Sequence, residues 1–166
     1  MVLSPAVLLL FAVPLVATAA ELPRRKSGLW EIATAAPGST AGVSAQLCVD
    51  RNTDDFTRQL AGAGIPCSKN DIRRESDHRY VIDSVCQIGE STVTSRSVVT
   101  GSFDSGYQVN IHAKYSPPLM NMSEGQSTIT SKWIGPCRAG QRAGDLILPN
   151  GMTLNMFDAP KRLPSK

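Results

Sequence analysis

Apolar and polar residues alternate along much of the second half of the chain. In YQVNIHAKY (107–115), Tyr107, Val109, Ile111, Ala113 and Tyr115 share one side, while Gln108, Asn110, His112 and Lys114 share the other. Such a period of two fits an antiparallel strand with one buried and one wet face. RYVIDSVCQIG, STVTSRSVVTGSF and QSTITSKWIG repeat the style with many β-branched residues. Together they predict a four-strand meander over 80–88, 91–103, 107–115 and 126–135. Gly89-Glu90 and Asp104-Ser105-Gly106 supply turns, and SPPLMNMSEG reads as a longer loop. LWEIAT and VSAQLCV add two strands ahead of the meander. GDLILPNGMTLNM reads as a short loop or hairpin around Pro149-Asn150-Gly151, where Asn-Gly suits a tight turn.

One segment breaks the period. DRNTDDFTRQLAGAG offers Thr53 as an N-cap, and Asp54 and Asp55 against the positive helix end. Phe56 and Leu60 share a face at i, i+4, and Gly62 and Gly64 act as stops. The expected fold is mainly β: a single antiparallel curved sheet, a half-barrel-like meander, with one short helix. A two-sheet sandwich is the alternative.

The first 20 residues carry no charged side chain, and Ala17-Thr18-Ala19-Ala20 ends their apolar run. This pattern predicts a signal peptide over 1–20, cut after Ala19 or Ala20, and export to the periplasm. The basic residues Arg24, Arg25 and Lys26 follow the run instead of preceding it. An uncleaved anchor is therefore the competing reading. Residues 21–166 make one β-rich domain of roughly 146 residues, with no further segment of membrane-spanning length.

Four cysteines, Cys48, Cys67, Cys86 and Cys137, are spaced 19, 19 and 51 apart, with no CxxC. Zinc ribbons and thioredoxin-like centres need close pairs, so in an exported chain these read as two disulfides. Three connectivities are open. Cys48–Cys67 with Cys86–Cys137 is favoured, the first clasping the helix and the second joining two strands. On that reading CSKNDIRRESDHRYVIDSVC (67–86) gives one cysteine to each bridge, and its charges mark a solvated hairpin tip.

The formal charge of +3 is small and dispersed. RRK and KRLPSK look like solvated termini, and no basic face carries interleaved aromatics, which argues against nucleic acid. His78 and His112 fall in a charged turn and on the polar face of a strand. With no nucleophile elbow and no HExxH, neither a hydrolytic triad nor a zinc protease is indicated. Nothing in their spacing pairs Glu31, Asp83 and Asp104 as acid and base.

Three binding chemistries remain. Trp30 and Trp133, with Tyr107, Phe103 and Tyr80, either fill a core or line an apolar cavity for a small ligand. Met120, Met122 and His112 offer soft ligands for copper, against a bland reading as cover for a sheet edge, as MTLNM would be. Arg73 and Arg74 sit in a charged stretch that suits docking of another envelope protein.

Several stretches together resemble a known family: SGLWEI (27–32), LCVD (47–50), CSKNDIRR (67–74), YVIDSVCQIGESTVTSRSVVTGSFDSGYQV (80–109), and KWIGPC followed by GD. They resemble an envelope family of proteobacteria catalogued as domain of unknown function 3617. Ser27 stands where that family commonly has proline. The resemblance implies a periplasmic, disulfide-tied β domain and transfers no catalytic residues. The expected function is thus a non-enzymatic, monomeric periplasmic module with no cofactor. It binds a small apolar ligand or associates with an envelope component, with soft-metal binding as the alternative.

Overall fold

The computed structural model describes residues 20–36, 42–56, 59 and 65–158. Among them nine strands form one sheet: β1 (Gly28–Ala35), β2 (Val43–Val49), β3 (Cys67–Ser76), β4 (Arg79–Ile88), β5 (Ser91–Ser102), β6 (Gly106–Leu119), β7 (Met122–Gly135), β8 (Asp145–Ile147) and β9 (Thr153–Asn155). Their order is β3-β4-β5-β6-β7-β1-β2-β8-β9, and each neighbouring pair is antiparallel. This is the expected single sheet, and no second sheet packs against it among the described residues. The signal segment lies outside the described residues. So does most of the expected helix. Of its described residues Phe56 and Gln59 are helical, with the Gln59 N–H donating to the Asp55 carbonyl at 3.1 Å. Asp54 and Asp55 precede the helix, and the expected cap Thr53 lies in a turn, its hydroxyl donating to the Asp50 carbonyl at 3.3 Å.

The period of two does what it implies. Register places Tyr80, Val99 and Val109 side by side on one face, and Ile82, Ser97 and Ile111 in the next row. This inner face collects Trp30, Leu47, Val49, Tyr80, Ile82, Val99, Phe103, Tyr107 and Val109 into one buried cluster with Leu22 and Phe56. β2 and β4 both contribute, although they stand five places apart in the order. In a flat sheet they would lie roughly 24 Å apart. A cover as small as Leu22, Arg25 and Phe56 seals both only if the sheet curls around it.

Three expectations are corrected. The stretch read as a hairpin tip is a full strand, β3, whose outward residues are charged and whose Ile72 alone packs on the core. β3 forms one edge of the sheet, where a charged, solvent-facing pattern discourages pairing with other chains. The loop expected between 115 and 126 is instead a continuation of both strands. Its two-residue tip is Met120-Asn121 with φ of 50° and 63°, as a type I′ hairpin requires. Register is interrupted between Lys114 and Leu119, where Pro117 and Pro118 bring no N–H to the ladder.

The third correction concerns the disulfides. The bridges are Cys67–Cys86 and Cys48–Cys137, spanning 19 and 89 residues. Strand pairing decides this. Cys67 lies directly opposite Cys86 on neighbouring strands, so the ends of the 67–86 stretch are bonded to each other. Cys48 on β2 bonds the segment that follows β7, across the intervening β1. The Met152–Asn150 turn behaves as expected, with β8 and β9 paired around Gly151 at φ 81°.

Loop entropy makes the long bridge the stronger one, at about 4.5 kcal/mol against about 3 kcal/mol for the short one. Urea unfolding of Cys48→Ser/Cys137→Ser and Cys67→Ser/Cys86→Ser should show the larger loss in the first pair. Peptide mapping without reduction should recover the two linked pairs named above.

Candidate functional site

The inner face is closed by the segment that precedes β1. Arg25 is 1% exposed, and its ion pair with Asp54 has both side chains 1% exposed. The Arg25 backbone N–H donates to Asp54 Oδ2 at 2.8 Å and Nη2 donates to Oδ1 at 2.6 Å. Nη2 also donates to Gln59 Oε1 at 2.5 Å, Nη1 reaches the Tyr107 hydroxyl at 3.4 Å, and the guanidinium lies 5.1 Å from the Phe56 ring centre. Burial works against the charge of Arg25, but Asp54 and Tyr107 together outweigh it and leave the guanidinium above its ordinary pKa. Burial likewise pushes the Tyr107 phenol up, with Arg25 opposing.

The neighbours of Arg25 are also engaged. Arg24 donates to the Asn52 carbonyl at 3.0 Å. The Lys26 N–H donates to the Phe103 carbonyl at 2.8 Å, and its ammonium sits 3.7 Å from the Trp133 ring centre. RRK is therefore a fastening and not a solvated terminus. Gly28, at φ 136°, completes the approach: a side chain there would collide with Trp133 and with the Gly135 carbonyl.

The aromatic residues named as a ligand pocket meet, but as packed core. Trp30 is fully buried, and Tyr107 lies 5.7 Å from it, 5.2 Å from Phe103 and 4.9 Å from Phe56. Trp133 stands at the rim, half-buried, donating to the Ser27 carbonyl at 3.1 Å. The copper set does not converge. Met120 is at the β6–β7 tip, 86% exposed, while His112 pairs with Gln126. Gln126 is four residues from Met122, or roughly 14 Å of strand. Among the described residues no three His, Cys, Asp or Glu side chains group to hold a metal. Glu31, Asp83 and Asp104 lie on β1, on β4 and in the β5–β6 turn, and do not meet. Arg73 and Arg74 fall on opposite faces, the first bonded to Asp83 and the second to Asp77, each at 2.6 Å.

The outer face holds a cluster that the sequence pattern alone does not assemble. Strand register aligns Asp71, Asp83, Arg96, His112 and Gln126 in one row across five strands. Two shallow depressions meet at Arg96 and His112. One, of about 400 Å³, is bounded by Val98, Asn110, Gln126 and Thr128; the other, of about 360 Å³, by Lys69, Asp83, Thr94 and Lys114. Asp83 accepts from Arg73 at 2.6 Å and faces Arg96 Nε at 3.5 Å; His112 Nε2 lies 3.5 Å from Glu124. The bond from Arg73, together with the charges of Arg96 and Lys69, holds the Asp83 carboxyl below its ordinary value. Asp145 is held low too, by the Arg142 backbone N–H and the Asn155 side chain.

A family model described as protein of unknown function (DUF3617) matches residues 25–137. The chain belongs to that family. The span shared with DUF3617 opens on the buried Arg25 and closes on Cys137, the partner of Cys48, so it takes in the fastening, β1 to β7 and both bridges. β8 and β9 lie beyond it. No curated protein and no solved structure matches the chain.

Two outcomes follow from these groups. Arg25→Met leaves Asp54 buried without its cation and should cost about 3–5 kcal/mol, whereas Arg25→Met/Asp54→Leu should recover most of that loss; urea midpoints check both. For Asp83 and Asp145 the folded pKa lies below the ordinary 3.8. Their contribution is therefore complete above that value and disappears as pH falls through the lower folded values. The melting temperature should hold from neutral pH to about 4 and then drop, less steeply in Asp83→Asn.

Proposed function

We propose that the protein is a non-enzymatic module exported to the periplasm, where it docks an acidic component of the envelope on its outer face. The observation that carries this reading is the pair of depressions sharing Arg96 and His112. They are open, and Lys69, Arg96, Lys114 and His112 stand about them, with Asp83 in the wall and Asp71 and Glu124 beside Lys69 and His112. The inner face is occupied by its own rings and by the Arg25–Asp54 pair, which leaves recognition to the other side of the sheet. Export is supported by four cysteines that are all bridged, as an oxidising compartment favours. Among the described residues no helix is long and apolar enough to cross a membrane.

A photoreactive residue in place of Thr128, in the full chain expressed in its own host, tests the reading. A cross-linked species of one defined mass is expected in the periplasmic fraction, and Arg96→Glu in the same chain should abolish it. Labelling no stronger than from the same probe at Glu90, in the β4–β5 turn, would overturn docking at this face.

A further inference from the structure

The geometry points to a phosphate-binding subsite on the outer face, centred on Arg96, Lys114, His112 and Thr94. This inference rests on the outer face being the working surface and names the chemical group it takes.

Register makes the four residues a tile. Arg96 on β5 lies opposite His112 on β6, and Thr94 lies opposite Lys114. Arg96 and Lys114 are diagonal neighbours, at a spacing of about 7–8 Å that long side chains bridge. All four line the same depression of about 360 Å³. One hydroxyl, one guanidinium, one ammonium and one imidazole thus face a common volume.

The state of each cation matters more than their number. Arg73 is committed to Asp83 at 2.6 Å, and Lys69 to Asp71 at 3.0 Å. Arg96 faces Asp83 only through Nε, at 3.5 Å, and among the described residues its terminal nitrogens make no hydrogen bond. Lys114 has no hydrogen-bond or ion-pair partner among the described residues, and its side chain is exposed. Asp83 steadies one edge of the guanidinium and, being shared with Arg73, does not neutralise it. Glu124 on β7 lies opposite Lys114 and 3.5 Å from His112 Nε2, at the far rim of the tile; the terminal nitrogens of Arg96 and the ammonium of Lys114 remain available to an oxyanion.

The choice between oxyanions follows from donor count. A carboxylate carries one charge in a plane and is matched by one guanidinium fork. A phosphate carries close to two charges and spreads acceptor oxygens around a tetrahedron. A tile that offers donors from four side chains on two strands suits the second. A free phosphate and a phosphomonoester lipid headgroup share this chemistry.

Amide chemical shifts of the labelled full chain, followed at constant ionic strength, test the subsite with inorganic phosphate, with acetate, and with vesicles of phosphatidylcholine with or without phosphatidic acid. Phosphate should shift Thr94, Arg96, His112 and Lys114 saturably. Arg96→Gln/Lys114→Gln should weaken binding at least ten-fold, and Lys132→Gln, elsewhere on the same face, should leave it unchanged. Selective binding of the phosphatidic acid vesicles in addition would place the group on a lipid; binding of free phosphate alone would place it on a soluble ligand, and either supports the subsite. Acetate binding as tightly as phosphate, or shifts spread evenly over the face, would overturn it. If phosphate fails while the Thr128 cross-link persists, docking stands and the phosphate assignment falls.

Discussion

The fold depends on one charge kept out of water. A guanidinium as deeply buried as Arg25 is tolerable only because a carboxylate, a carboxamide oxygen and a phenol meet it from two other stretches of chain. Asp54 and Gln59 come from the segment after β2, Tyr107 comes from β6, and Arg25 itself lies three residues before β1. The pair therefore does more than neutralise itself. It fixes where the leading segment crosses the inner face, and with it where Leu22, Lys26 and Gly28 must lie. An all-apolar closure would bury as well, but it would not specify one position of the strap so sharply.

With the inner side closed this way, the two faces of the sheet take on different tasks. The concave side is aromatic and sealed. The convex side carries rows of alternating Thr, Asn, Gln and charged residues, with Val81 and Val98 as its apolar floor. Edges differ as well. β3 is long and charged, whereas β9 is three residues long and presents Leu154 to solvent, with Met152 exposed just before it.

β4 to β7 were legible because their two faces see different solvents, so the alternation of Tyr107 to Tyr115 reports burial directly. β3 was not, because an edge strand with Ile72 as its single core contact has almost no apolar alternation to display. The disulfide pairing depended on which strands are neighbours, and β1 beside β7 is a long-range fact that spacing does not encode. Arg25 looked like part of a basic tail, and Asp54 like a helix-dipole partner, since neither residue type signals a companion 29 positions away. The outer-face site was half visible. His112 and Lys114 stood out on a polar face, but Arg96 is a lone cation in a Ser/Thr-rich run, and only register puts it beside them.

The pairing of Cys48 with Cys137 has a consequence for how the chain matures. A polypeptide delivered N-terminus first presents Cys48 and then Cys67 long before Cys137 exists to react. An oxidant acting on the emerging chain meets neighbours in sequence, and the bond it would make between them is absent from the finished fold. Reaching the native pattern then requires that bond to be attacked by a thiolate and exchanged. For a chain exported as proposed, a bond made early between Cys48 and Cys67 would make reshuffling, and not oxidation alone, part of its maturation.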